Sequence, residues 1–193
     1  MPTSIDITAV LGSVTPPGRL RRAVDGALVR AAARDDVRTQ LVDLADTRIA
    51  FADGRPLDVL EDDTPEVVGR IERADAVLFA TPVYRGSLTG ALKNLLDHVP
   101  VAALRATPVA IVAMGGSDHH YLGVERHLRD VLSFFGAHPL PTAVYLASRD
   151  FDDGVPGPRA AHELDGLLDA LVVLTRALRG APALGPTPLA ARF

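Results

Sequence analysis

Short apolar runs and amphipathic stretches alternate along this chain, and the two kinds of segment follow different periods. Ile5–Leu11 is rich in β-favouring residues and stops at Gly12, which reads as a strand. Arg19–Ala33 carries Leu20, Val24, Ala27, Leu28 and Ala31 at helical spacing. Val37–Leu44 reads as a second strand, and Thr47–Asp63 is polar and broken by Asp-Gly and Arg-Pro. Thr64-Pro65-Glu66 predicts a helix start, with Thr64 as the capping hydroxyl, running to Ala74. Asp75–Ala80 is a compact apolar strand followed by a Thr81–Ser87 loop. Leu88–His98 predicts a helix with Leu88, Leu92, Leu95, Leu96 and then Val99 on one face, stopped by Pro100.

The remainder repeats the pattern. Val109–Met114 is a buried-looking strand ending at Gly115-Gly116. His119–Phe135 predicts a helix closed by Gly136. Leu140–Leu146 is the expected fifth strand, Ser148–Pro158 a loop, and Arg159–Leu178 the last helix. Five strand–helix units predict an α/β flavodoxin-like three-layer sandwich, a five-stranded parallel sheet in the order 2-1-3-4-5. Residues 1–179 read as one domain, and 180–193, rich in proline, glycine and alanine, as an extended or disordered tail.

Composition narrows the function classes. At 193 residues the chain is long enough for one well-filled core. Its net charge is −4 with no basic stripe, so nucleic acid is not an expected partner. It has no cysteine, which excludes disulfides, thiolate metal sites and cysteine nucleophiles. The first residues lack a basic leader and enter a strand directly, and no apolar run is long enough for a membrane span. A cytoplasmic setting is therefore expected.

Candidate chemistry sits in three strand-to-helix loops, Gly12–Leu20, Thr81–Ser87 and Gly115–Tyr121, which the 2-1-3-4-5 order gathers at one end of the sheet. In the first, Ser13, Thr15, Arg19 and the N–H groups of a helix start suit a phosphate. A plain strand-to-helix turn is equally compatible, because the loop is neither a Walker loop nor G-x-G-x-x-G. The second brings Tyr84, Arg85, Gly86 and Ser87 to the mouth of the sheet. Its bland reading is an edge aromatic and a solvated cation, with Lys93 and Asp97 as a surface pair. In the third, Gly115 and Gly116 allow close backbone approach, Ser117 and Asp118 are candidate caps, and His120 is a candidate ligand donor. Asp118, His119, His120 and His127 invite a metal reading, but adjacent histidines diverge on a helix and no second ligand pair supports them, so no metal is expected.

The segment Ala80–Pro100, ATPVYRGSLTGALKNLLDHVP, keeps the order P-V-Y-x-x-x-x-x-G-A-L-K. It resembles the second flavin-binding loop of the NADPH-dependent FMN reductase family, and more particularly the flavin reductases that supply two-component alkanesulfonate monooxygenases. The order of elements from Ile5 to Leu178 agrees, and a looser match runs through Gly115–Pro139. The resemblance implies FMN and NADPH as cofactors. It implies that the Gly12–Leu20 loop holds the FMN phosphate, that the Pro82–Ser87 and Gly115–Ser117 loops hold the ring, and that Pro82, Val83, Tyr84 and Arg85 edge it with Gly115 and Gly116 opposite. The family's phosphate loop commonly reads Gly-Ser-x-Arg with further hydroxyls; here those places hold Thr15, Gly18 and Leu20. A loop with fewer donors fits a protein that handles flavin as a passing substrate, or one that has changed ligand.

The implied activity is hydride transfer from NADPH to FMN, for which no catalytic acid or base is required. Arg85 or Arg19 is the expected cation for the phosphates of the dinucleotide. A monooxygenase taking the reduced flavin and a homodimer or homotetramer are the implied partners, with the 88–99 and 123–135 helices as candidate faces. Two alternatives stay open: an FMN-containing quinone, azo-dye or chromate reductase, and a flavodoxin-like electron carrier without NADPH activity.

Overall fold

The computed structural model describes residues 4–15, 18–181 and 184–188. Three strands dominate it: β1 (Ile5–Leu11), β3 (Ala76–Pro82) and β4 (Pro108–Met114). Almost every residue in them is buried, as a strand covered on both faces requires. With β2 (Val37–Asp43), β5 (His138–Pro139) and β6 (Val144–Leu146) they form one parallel sheet in the order β2-β1-β3-β4-β5, with β6 also on β4. That is the flavodoxin-like order expected.

Helices cover both faces. On one, α1 (Arg19–Ala31) and α6 (Pro158–Leu178) bury Leu20, Val24, Leu28, Leu164, Leu168 and Leu171 against β1 and its neighbours. On the other, α2 (Thr64–Glu72), α3 (Gly90–His98), the single turn α4 (Val101–Leu104) and α5 (Gly123–Phe135) enclose Phe79, Ile111, Leu92, Leu95, Leu128 and Leu132. Arginine–aspartate pairs, Arg30–Asp165 and Arg34–Asp169, join α1 and the turn after it to α6 at the surface.

Several boundaries depart from the sequence reading, each for a local reason. The fifth strand is two pieces rather than one run over 140–146, because Pro139 and Pro141 bring no N–H to the ladder. Arg129 donates to the Leu140 and Pro141 carbonyls at 2.6 and 3.1 Å and satisfies the break. Helix α5 starts at Gly123, not His119, because its buried stripe of Val124, Leu128, Leu132 and Phe135 begins only there. Asp118–His120 is instead a single 3-10 turn, and Tyr121 and Leu122 are exposed. Thr64 does not cap α2: it is wholly buried, and its hydroxyl accepts the Ala50 N–H at 2.9 Å, pinning the irregular 45–63 stretch. The Ser148–Pro158 loop contains a small hairpin, β7 (Phe151–Asp152) with β8 (Val155–Pro156). Its turn residues Asp153 and Gly154 have φ of +45° and +75°. Of the expected tail, residues 182, 183 and 189–193 lie outside the described residues; Thr187 accepts a bond from Arg105 at 3.0 Å, and Pro188 lies beside Gly136.

Helix α3 begins two residues after the expected Leu88, and its cap carries the fold's main polar joint. Thr89 is the N-cap and its Oγ1 accepts the Leu92 N–H at 3.1 Å. The same hydroxyl donates to the Gly12 carbonyl at 2.5 Å, and the Thr89 N–H reaches Thr81 Oγ1 at 3.3 Å. Both threonines are buried. A Cβ at Gly12 would lie 2.9 Å from the Leu92 Cβ, so only glycine lets β1 turn away this close to α3.

Thr89→Val keeps the shape but leaves the Gly12 carbonyl and the Leu92 N–H unpaired in a dry site; a loss of about 2 kcal/mol is expected from urea unfolding. At the opposite rim the Arg38 guanidinium holds Asp6 below the usual carboxylate range; before α2, the Thr64 hydrogen bond does the same for Asp62. Depressed carboxylates stabilise the fold above their unfolded pKa of about 3.9 and lose that contribution as pH falls through their lower folded values. Stability is therefore expected to decline from about pH 4 downwards, and Asp6→Asn to flatten that limb in urea unfolding at successive pH values.

Candidate active site

The carboxyl ends of β1, β2, β3 and β4 open on one cleft, lined by Leu11, Ser13, Thr15, Gly18, Arg19, Leu20, Arg21, Asp43, Pro82, Tyr84 and Met114. Its enclosed volume of about 110 Å³ is smaller than the ~300 Å³ at which ordinary ligand pockets begin. The two ends of the cleft differ in chemistry.

One end is polar and suits an anion. The hydroxyls of Ser13 and Thr15 meet at 2.9 Å and can both turn to a shared acceptor. Beside them α1 begins at Gly18, with no side-chain cap and no acidic residue in the first turn. Its first N–H groups and the positive end of its dipole therefore lie at the cleft without a side-chain cap. Arg19 stands at the same place, its guanidinium 5.4 Å from the centre of the Phe151 ring. Arg21 is held by Asp43 at 2.6 Å and Asp46 at 2.7 Å. Leu20 contributes its buried base. Pro16 and Pro17, within the same predicted loop, lie outside the described residues.

The other end is apolar: Pro82, Tyr84, Met114 and Leu11 form a wall against which a flat ring can lie. Tyr84 is 45% exposed, so its ring is available rather than packed away. It opens a tight turn in which Tyr84 and Ser87 exchange backbone hydrogen bonds of 2.9 and 3.0 Å. The two central residues, Arg85 and Gly86, have φ of +52° and +77°, the left-handed pair of a type I′ turn. An arginine there costs about 1–2 kcal/mol. The turn is held from α5: Ser87 Oγ lies 2.8 Å from His127 Nδ1, and a Cβ on Gly123 would meet the Gly86 carbonyl at 2.6 Å.

The predicted site residues thus divide. Ser13, Thr15, Gly18, Arg19, Leu20, Pro82 and Tyr84 line one cleft. Val83 donates its N–H to the Met114 carbonyl at 2.8 Å, extending β3, and Arg85, Gly86 and Ser87 form the turn beyond it. The third loop is bound into β6: Gly115 N–H donates to the Leu146 carbonyl at 2.9 Å, and the Tyr145 hydroxyl donates to the Ser117 carbonyl at 2.5 Å. Burial pushes the Tyr145 phenol up, and the Asp118 carboxylate adds to the shift, so it stays a donor. A Cβ at Gly115 would lie 2.0 Å from that hydroxyl, so the glycine answers to packing, whereas Gly116 faces open space. His119, with Nδ1 3.2 Å from Ser117 Oγ, and His120 are exposed, and Asp118 pairs with Arg149. Among the described residues, no group of three histidine, aspartate or glutamate side chains is placed to hold a metal ion. Lys93 and Asp97 form an exposed pair at 2.5 Å.

Four residues beside the site are not predicted in that role, His127 being considered only as a metal ligand. Thr89 and His127 act on the loops from helices, and Asp43 enters from β2. Phe151 arrives through the hairpin, for which Asp153-Gly154 was an available signal.

The donor set fits a ligand with a phosphate at one end and a flat ring at the other: two hydroxyls, a helix start without a side-chain cap and a guanidinium with no ion pair among the described residues lead to an apolar wall that includes Tyr84. The sequence profile of the NADPH-dependent FMN reductase family matches residues 5–152. An NADH-dependent FMN reductase, SfnF, of Pseudomonas putida is 34% identical over 169 residues, 86% of this chain and 91% of the relative. An NAD(P)H-dependent FAD/FMN reductase of Geobacillus thermodenitrificans is 40% identical over 118 residues, 61% of this chain and 64% of the relative. The apo crystal structure of the NADH:FMN oxidoreductase EMOB superposes with a TM-score of 0.77 at 26% identity, covering 88% of this chain and 89% of that one. A fold, a two-ended cleft and a sequence match over most of the chain converge: this chain belongs to the NADPH-dependent FMN reductase family.

Proposed function

We propose that this chain is an NAD(P)H-dependent FMN reductase. The observation that carries the reading is the single cleft joining the Ser13–Thr15–Arg19 anion end to the Pro82–Tyr84–Met114 wall. When bound, the flavin supplies the acceptor for a hydride from reduced nicotinamide. The protein's part is to hold and orient. Ser13, Thr15 and the α1 N–H groups receive the phosphate. Tyr84 backs the ring, and the N–H groups of Arg85 and Gly86 in the turn offer fixed dipoles to charge that grows on it. In this reading Arg85, on the turn that follows Tyr84, receives the phosphates of the dinucleotide. No side-chain acid or base is needed.

The shallow cleft and short donor list support a flavin that comes and goes, as delivery of reduced flavin to a monooxygenase demands. A homodimer or homotetramer built on α3 and α5 is part of the reading: Phe134 is 58% exposed beside Val131, Lys93 and Leu96. A cytoplasmic setting goes with it; no described helix is long and apolar enough to cross a membrane.

Purified protein is expected to oxidise NADPH or NADH only when FMN is added, followed by nicotinamide absorbance; flavin-independent oxidation, or none, contradicts the reading. Arg85→Ala is expected to raise the KM for the dinucleotide about tenfold with kcat within about twofold, since the lost contact is made before and during transfer alike. Arg85→Asn relieves the left-handed strain and is expected to stabilise the fold by about 0.5–1 kcal/mol in urea unfolding. A less stable Arg85→Asn protein would show that the arginine makes compensating contacts.

A further inference from the structure

Most arginines around the mouth of the cleft are already committed. Arg21 holds Asp43 and Asp46, Arg22 donates to the Gly154 carbonyl at 3.2 Å, Arg149 pairs with Asp118, and Arg159 with Asp150 and Glu163. Arg19 makes no ion pair among the described residues. Its guanidinium lies over the face of Phe151 instead. An arginine stacked this way keeps its planar edge of N–H donors free for an anion.

The platform under Arg19 is rigid. Phe151 opens the β7–β8 hairpin and is half-buried against the core on the α1 face. Just before it, the buried Asp150 accepts the Ala147 N–H at 2.7 Å, and its own carbonyl accepts the Gly157 N–H at 2.8 Å. The tip of the hairpin presses on α1: a Cβ at Gly154 would lie 2.4 Å from Arg22 Nη1 and 3.8 Å from Arg19 Cγ. A long side chain held in place beforehand gives up less freedom when it meets its ligand.

We propose that Phe151 is a positioning residue that holds Arg19 over the cleft as the cation for the ligand's phosphate monoester. The hairpin, and not the first loop alone, then makes the chain prefer a phosphorylated flavin to an unphosphorylated one. The inference rests on the flavin reading above and assigns a specificity role to an element outside the three loops.

FMN and riboflavin share the ring and differ in the phosphate, so the ratio of their dissociation constants isolates the effect. Each is titrated into the full chain and followed by flavin fluorescence. Phe151→Leu is expected to reduce the preference for FMN about tenfold while the riboflavin constant stays within about twofold. Phe151→Tyr, which keeps the ring face, is expected to retain the parent preference. Arg19→Lys, a surface change that keeps the charge and loses the plane, is expected to fall as Phe151→Leu does, and it decides the matter if Phe151→Leu does not fold. Arg19→Ala combined with Phe151→Leu is expected to lose no more than Arg19→Ala alone. Unchanged preference in Phe151→Leu or Arg19→Lys, or equal weakening of both flavins, overturns the proposal. A parent protein that binds neither flavin contradicts the flavin reading itself; one that binds both, with variants that match it, contradicts the positioning role alone.

Discussion

The carboxyl end of the sheet depends on one buried hydrogen bond, from the Thr89 hydroxyl to the Gly12 carbonyl. Gly12 is the last point at which β1 still lies in the sheet, its N–H paired to Ala80 at 2.7 Å. Beyond it the chain leaves for the first loop, and its carbonyl has no strand to bond. In a dry site an unpaired carbonyl is costly, and Thr89 supplies the missing partner while capping α3. One hydroxyl therefore fixes where the first loop leaves the sheet and where the helix after the second loop begins. The polar and apolar ends of the cleft are set relative to each other by this joint.

Two tight turns with consecutive left-handed residues serve the site in different ways. Asp153-Gly154 uses residues that tolerate the conformation, and makes a stiff hairpin that lies on α1. Arg85-Gly86 places a bulky cation where a small polar residue is more comfortable, and α5 holds the turn through His127 and Gly123. The first is a local preference used as scaffolding. The second is a local cost sustained by its surroundings, the pattern found where a side chain is kept for what it binds.

Much of the fold was legible because burial leaves a simple trace. Ile5–Leu11, the apolar part of Ala76–Pro82 and Val109–Met114 are covered on both faces, so they read as continuous apolar runs. The stripes of α1, α3 and α6 give the crossovers, and the strand order follows. What was not legible is what tertiary contact decides. Thr64 looks like a cap, yet its hydroxyl is taken by Ala50, the irregular 45–63 stretch having to be pinned somewhere. Pro139 and Pro141 were visible, but the division of the strand around them depends on Arg129 reaching over from α5. Within the site, the two loops with unusual residues declared themselves. That Tyr145 packing demands Gly115 was not visible in the sequence, while Gly116 faces open space. Thr89, His127 and Phe151 act from a distance in sequence, and no spacing rule connects them to the cleft.

The most direct test of the central claim, that the cleft holds FMN with its phosphate at the start of α1 and its ring against Tyr84, is a crystal structure of the chain with FMN. The phosphate is expected within hydrogen-bond distance of Ser13, Thr15 and Arg19, with one face of the ring open to a second ligand. FMN found with its phosphate in solvent, or bound away from the carboxyl ends of β1 and β3, would contradict it.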